Sequence, residues 1–171
     1  MTIILITGGA RSGKSRHAES LALSMADSVN AIPIYIATAQ AHDDEMAERI
    51  TAHRSRRGAA WRDVEAPFAL ADTLDQTDGA GPRLVDCLTL WLTNVMLAEQ
   101  DWRGETEALC TRLRHQSSSV VLVTNEVGLG IVPDNALARR FRDYAGLVNQ
   151  MVAEVADSVI FTVAGLPMKV K

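Results

Sequence analysis

Gly8-Gly9-Ala10-Arg11-Ser12-Gly13-Lys14-Ser15 carries the spacing G-x-x-x-x-G-K-[ST], the residue set that binds a nucleoside polyphosphate. Gly8 and Gly13 let the backbone turn and approach an anion closely, so that successive N–H groups and the start of a following helix face it. Lys14 adds positive charge for the outer phosphates, and the Ser15 hydroxyl suits the magnesium ion that travels with them. Gly9, Ala10, Arg11 and Ser12 complete the loop as nucleotide-binding backbone. An ordinary glycine turn would account for the glycines but not for Lys14 and Ser15 together.

Further positions could do chemistry. Asp86 ends the apolar run Leu84-Val85, where a phosphate-loop enzyme needs a carboxylate for magnesium; its other role is to cap the helix that follows. Glu126 follows the run Val120 to Val123, where it could orient or deprotonate an attacking hydroxyl, or the loop Thr124 to Pro133 could be purely connective. His17, His42 and His115 read as surface or capping groups. His53 opens the cluster His53-Arg54-Ser55-Arg56-Arg57, which could neutralise a triphosphate or simply end a solvated helix. Asn125 is followed by Glu126 and Val127, so the guanine-reading Asn-Lys-x-Asp signature of switch GTPases is absent at this strand end.

These residues must be held by alternating elements. The periodicity predicts strands at 2–7, 31–38, 83–87, 119–124 and 158–163, and helices at 14–26, 43–56, 88–100, 105–116 and 135–156. Residues 73–82 and 102–104 read as turns. Such alternation predicts an α/β fold with a doubly wound, mostly parallel sheet, whose ligands lie at the carboxyl ends of the strands. The helix 135–156 repeats apolar residues at Leu137, Phe141, Tyr144, Val148, Met151 and Val155, a stripe for packing on the sheet or for a subunit interface.

Composition narrows the partners. The 171 residues suit one domain, 1–171, and 47% of them are hydrophobic. With 17 basic and 21 acidic side chains the net charge is −4, which offers no broad positive field for nucleic acid. Cys87 and Cys110 stand in no metal or redox spacing and predict buried, reduced thiols. No apolar stretch reaches membrane-spanning length, and the expected location is cytoplasmic.

Taken together, Thr7 to Arg16, Tyr35-Ile36-Ala37-Thr38-Ala39-Gln40, Asp44-Glu45-Met46, Arg49-Ile50, His53-Arg54, Trp61, Glu65 and Val121 to Pro133 resemble the bifunctional adenosylcobinamide kinase and adenosylcobinamide-phosphate guanylyltransferase family of cobalamin biosynthesis. The resemblance spans nearly the whole chain. It implies a RecA-like P-loop fold, a homotrimer, and two reactions: phosphorylation of adenosylcobinamide by ATP or GTP, then GMP transfer from GTP through a guanylyl-histidine on His53. By the same resemblance Ala37, Thr38, Ala39, Arg54, Ser55, Arg56 and Arg57 line the nucleotide site, and Glu65 and Asp86 contact nucleotide or metal. Many relatives have proline where this chain has Gly58. The competing readings are a monofunctional P-loop kinase for another small hydroxylated substrate and a non-catalytic nucleotide-sensing module.

Overall fold

The computed structural model describes residues 1–171 except 42, 43, 45, 46, 49, 50, 52, 53, 56 and 57. Among the described residues seven strands form one sheet: β1 (Ile3–Gly8), β2 (Ile34–Ala37), β3 (Arg62–Glu65), β4 (Arg83–Asp86), β5 (Val120–Val123), β6 (Ser158–Val163) and β7 (Leu166–Lys169). Their order is β3-β2-β4-β5-β1-β6-β7, every pairing parallel except β6 with β7. Among the described residues the helices with full bounds are α1 (Lys14–Ser28), α2 (Leu70–Gln76), α3 (Leu88–Leu97), α4 (Trp102–His115) and α5 (Ala136–Val155). In the predicted helix 43–56, Asp44, Ala47, Glu48, Thr51, Arg54 and Ser55 are helical, and the rest lie outside the described residues.

Successive side chains of the central strands are buried on opposite faces, as parallel strands covered on both sides require. Ile3 and Leu5 join Ile36, Val85, Val120 and Leu122 in a core closed by α2, α3, α4 and α5. Ile4 and Ile6 join Tyr35, Leu84, Val121 and Val123 in a second core closed by α1. The buried stripe Ala18, Ala22, Ala26 lets α1 lie close on the sheet, and so fixes the helix whose first turn carries Lys14 and Ser15. The stripe on α5 is a packing surface: Val148 is buried, Phe141, Tyr144, Met151 and Val155 pack on the larger core, and Leu137 is exposed.

The structure departs from the sequence expectation at four places. Arg62-Asp63-Val64-Glu65 is the edge strand β3 despite its polarity, since pairing with β2 satisfies its backbone while three of its four side chains stay exposed. Leu70 to Gln76, partly read as turn, is α2: Leu70 and Leu74 bury one face, and the Thr73 hydroxyl donates to the Ala69 carbonyl at 2.8 Å. Trp102 to Gly104 is the first turn of α4, capped by Asp101, whose Oδ1 accepts from the Arg103 N–H at 3.2 Å. Finally, β7 is exposed along its length and, among the described residues, pairs only on its β6 side.

The amino ends of β4 and β5 are tied by a charged knot. Arg83, fully buried, donates from Nη1 to Asp78 Oδ1 at 2.9 Å and from Nη2 to Gln116 Oε1. Burial pushes the Asp78 carboxyl upward, but the Ser118 and Ser117 amides and the Arg83 guanidinium outweigh it and hold it well below the usual range. Burial lowers the Arg83 pKa, against the opposing pull of Asp78. The knot lies at the end of the sheet opposite the phosphate loop.

Candidate functional site

The phosphate loop leaves β1 at Gly8 and enters α1 at Lys14, the strand-to-helix passage that the motif requires. Gly8 has φ +154°, and a Cβ there would lie 2.5 Å from the Thr162 carbonyl oxygen and 2.7 Å from Ser12 Oγ. Gly13, at φ +93°, sits in the left-handed region directly before α1. Arg11 also has positive φ, +55°. The Lys14 ammonium donates to the Gly9 carbonyl at 2.9 Å, folding back across the loop it serves. Ser12 Oγ is buried with no hydrogen-bond partner among the described residues, which leaves donor capacity inside the loop.

Strand order decides what stands beside this loop. Ala37 is paired with Glu65 on one side and Asp86 on the other, so the carboxyl ends of β3, β2 and β4 form a row. Asp86 is in turn paired with Val123 of β5, whose neighbour is β1. Asp86 is not the cap of α3: the cap position is Cys87, and among the described residues no side chain caps that helix. Instead, Asp86 Oδ2 accepts from the Tyr35 hydroxyl at 2.8 Å. The Tyr35 ring meets Trp61 edge-on at a centroid distance of 5.8 Å, and both belong to the core beneath α1. Asp86 is thereby oriented on the α1 side of the sheet, the side that Tyr35 and Leu84 also face.

Thr38 is fully buried and its hydroxyl is already committed: Oγ1 donates to the Cys87 carbonyl at 2.8 Å and accepts from the Cys87 N–H at 2.8 Å. Asn94 adds a bond from Nδ2 to the Thr38 carbonyl at 2.8 Å. Thr38 therefore ties the end of β2 to the end of β4. Burial, helped by the negative charge of Asp86, pushes the Cys87 thiol up to about 12, so it stays protonated and unreactive. Both cysteines are unpaired and buried, as their spacing predicts.

Glu126 is half-buried at the other flank. Its N–H donates to the Gly8 carbonyl at 3.2 Å, while its Oε1 accepts from the Gly128 N–H at 3.2 Å. The backbone of this residue thus braces the phosphate loop, and its carboxylate shapes its own loop. Asn125 is held by an N–H bond to Thr89 Oγ1 at 2.8 Å and by Asn149 Nδ2 to its carbonyl at 3.2 Å. Arg54 is exposed and pairs with Asp63 through Nε at 3.3 Å, and Ser55 is exposed beside it. His53, Arg56 and Arg57 lie outside the described residues.

Three contributors escaped sequence reasoning. Tyr35 sits inside an apolar strand, where nothing in its spacing says that its hydroxyl reaches Asp86, 51 positions away. Thr162 and Gly165, from the far end of the chain, touch the phosphate loop. Only the sheet order could reveal these contacts.

Residues 4–170 match the family described as cobinamide kinase / cobinamide phosphate guanyltransferase. The chain belongs to that family. It is an enzyme, with the kinase and guanyltransferase activities that define the group. The relatives agree. The bifunctional adenosylcobalamin biosynthesis protein CobP of Pseudomonas aeruginosa is 54% identical over 98% of this chain and 96% of its own length. The corresponding CobU proteins of Salmonella typhimurium and Escherichia coli are 45% and 43% identical, each over 99% of both chains. In architecture the family member described here is similar to the flagellar accessory protein FlaH of Methanocaldococcus jannaschii, with a TM-score of 0.57 over 99% of this chain and 78% of that one. At 12% identity that likeness concerns the fold alone, a mostly parallel P-loop sheet.

Proposed function

We propose that this chain, as one catalytic domain spanning 1–171, carries out both family reactions at the carboxyl edge of its sheet: phosphorylation of adenosylcobinamide by ATP or GTP, then GMP transfer from GTP to adenosylcobinamide phosphate. The observation that carries this reading is the family match over residues 4–170 together with a phosphate loop and Asp86 at the carboxyl ends of β1 and β4, which flank β5. In the kinase step the amides from Gly8 to Ser15 cradle the phosphates, and Lys14 stabilises charge on the transferring group. The substrate hydroxyl oxygen attacks the γ-phosphorus, and the bridging oxygen leaves with the nucleoside diphosphate. Glu126 is the candidate to orient that hydroxyl and to take the proton it gives up.

Magnesium fits the donor set. Ser15 offers a hydroxyl and Asp86 a carboxylate held by Tyr35, hard oxygen ligands few enough to leave bound water on a small cation. When bound, the ion would neutralise charge between the outer phosphates. Ala37, Ala39 and Glu65 flank the same row and are the proposed walls for the nucleotide, with Thr38 holding that wall from beneath.

For guanylyl transfer, the family resemblance supports His53 as nucleophile. A neutral imidazole nitrogen bonds to the α-phosphorus and pyrophosphate leaves; a phosphate oxygen of the corrinoid then attacks the same phosphorus and the imidazole departs. Arg54, Ser55, Arg56 and Arg57 would serve the charge of the triphosphate, and the arginines would also favour the neutral ring. Cytoplasmic residence and a homotrimer belong to the same reading. Among the described residues no helix is long and apolar enough to cross a membrane.

Protein incubated with magnesium and GTP labelled on the α-phosphate should retain acid-labile, alkali-stable label after denaturation. His53→Ala should abolish that label while sparing much of the kinase step. Label retained by His53→Ala would remove the assigned nucleophile, and a folded wild type that binds GTP without retaining label would favour a simple kinase.

A further inference from the structure

β7 contributes no buried side chain to the core, yet its turn with β6 is fitted closely to the phosphate loop. β7 is exposed at all of its positions, Leu166 to Lys169, so burial does not explain why the chain turns back at Ala164-Gly165. The turn is a two-residue loop, since Val163 pairs with Leu166, and both of its residues have positive φ: +51° at Ala164 and +82° at Gly165. Paired positive φ values match the twist of a tight hairpin, but alanine in the left-handed region is strained. That strained turn points at the site. The Gly165 N–H donates to the Ser12 carbonyl at 2.9 Å. A Cβ on Gly13 would lie 3.1 Å from Gly165 Cα, and a Cβ on Gly8 would lie 2.5 Å from the carbonyl oxygen of Thr162, its ladder partner in β6.

Three residues of the loop, Gly8, Ser12 and Gly13, are therefore in contact with the end of β6 and its turn. The opposite flank is braced by the Glu126 N–H on the Gly8 carbonyl. We propose that the β6–β7 turn is the mould for the phosphate loop, and that Gly165 is a positioning residue whose N–H sets the direction of the Ser12 peptide and hence of the amides that receive nucleotide phosphate. The turn acts on phosphate affinity through the loop and does not itself touch the reacting atoms. The chemical class affected is any nucleoside triphosphate used at the loop, in either reaction.

This inference rests on the phosphate loop being the nucleotide site. The test compares two full-length variants that do the same damage at opposite ends of the sheet. Gly165→Pro removes the donor and the positive φ at the mould. Gly79→Pro does so at a remote turn, where Gly79 has φ +77° and its N–H donates to Ser118 Oγ at 3.2 Å. Both should lower the melting temperature. Only Gly165→Pro should raise the KM and Kd for magnesium-GTP, by at least tenfold, with a smaller change in kcat; equal nucleotide KM in the two folded variants would overturn the proposal. Should Gly165→Pro not fold, Gly165→Val keeps the N–H while straining the turn. It should then raise the nucleotide KM three- to tenfold, and an unchanged KM refutes the mould. If Lys14→Ala leaves magnesium-GTP affinity untouched, the phosphate-loop reading fails first and takes this inference with it.

Discussion

Gly8 and Gly9 are adjacent in one glycine loop, yet the structure predicts opposite tolerance to alanine. A Cβ on Gly8 would stand 2.5 Å from the Thr162 carbonyl oxygen, whereas a Cβ on Gly9 meets nothing among the described residues within 4 Å. An unstrained carbon-to-oxygen approach is about 3.3 Å, so Gly8→Ala must push the loop back by roughly 0.8 Å from a carbonyl anchored in β6. Overpacking of that kind costs about 1–3 kcal/mol. Placing alanine at φ +154°, a region almost restricted to glycine, adds about 1–3 kcal/mol. The two together give about 2–6 kcal/mol, or a fall in melting temperature of roughly 5–20 °C for a chain of this size. Because a displacement approaching 1 Å at a positioning group costs on the order of a hundredfold, magnesium-GTP affinity should fall by at least tenfold. Thermal denaturation and calorimetric titration of Gly8→Ala and Gly9→Ala read both effects, with Gly9→Ala melting within about 3 °C of wild type. A Gly8→Ala protein with wild-type melting and wild-type nucleotide affinity would refute the close approach of the loop to β6.

The charged knot at the other end of the sheet makes a pH-dependent prediction. Asp78→Asn leaves the buried Arg83 charge uncompensated and should cost about 3 kcal/mol in urea denaturation at pH 7. The folded carboxyl titrates below the unfolded one, so its contribution is full above the ordinary aspartate pKa of about 4 and is lost as pH falls below it. The gap between wild type and Asp78→Asn should therefore narrow from pH 5 to pH 3, and a constant gap would show that the carboxylate charge is not what holds Arg83. Tyr35→Phe keeps the ring against Trp61 but frees Asp86 Oδ2. It should leave the melting temperature within about 5 °C of wild type and raise the magnesium requirement of the kinase step three- to tenfold, measured as activity against free magnesium.

The legible part of the site was the part made of local chemistry. Gly8 to Ser15 declare themselves because phosphate binding needs a strand, a turn and a helix in immediate succession, and one short window holds all three. Asp86 was visible as a carboxylate at the end of an apolar run, although its other role as a helix cap fell only when Cys87 took the cap position. The central strands were visible because burial on both faces leaves an unbroken apolar run. β3 and β7 were not, since edge strands gain their order from one paired side and can be polar or exposed.

The sequence by itself determined the nucleotide chemistry, the α/β alternation and, through its full-length resemblance, the family. Tertiary structure alone decided which distant residues hold that chemistry in place. Tyr35 reaches Asp86 because β2 lies beside β4, Glu126 braces Gly8 because β5 lies beside β1, and Gly165 reaches Ser12 because β6 lies on the other side. Strand order is a property of how two apolar faces are closed by helices, and it brings together residues separated by up to 154 positions, as Gly8 and Thr162 are, whose types carry no mark of the partner they will meet.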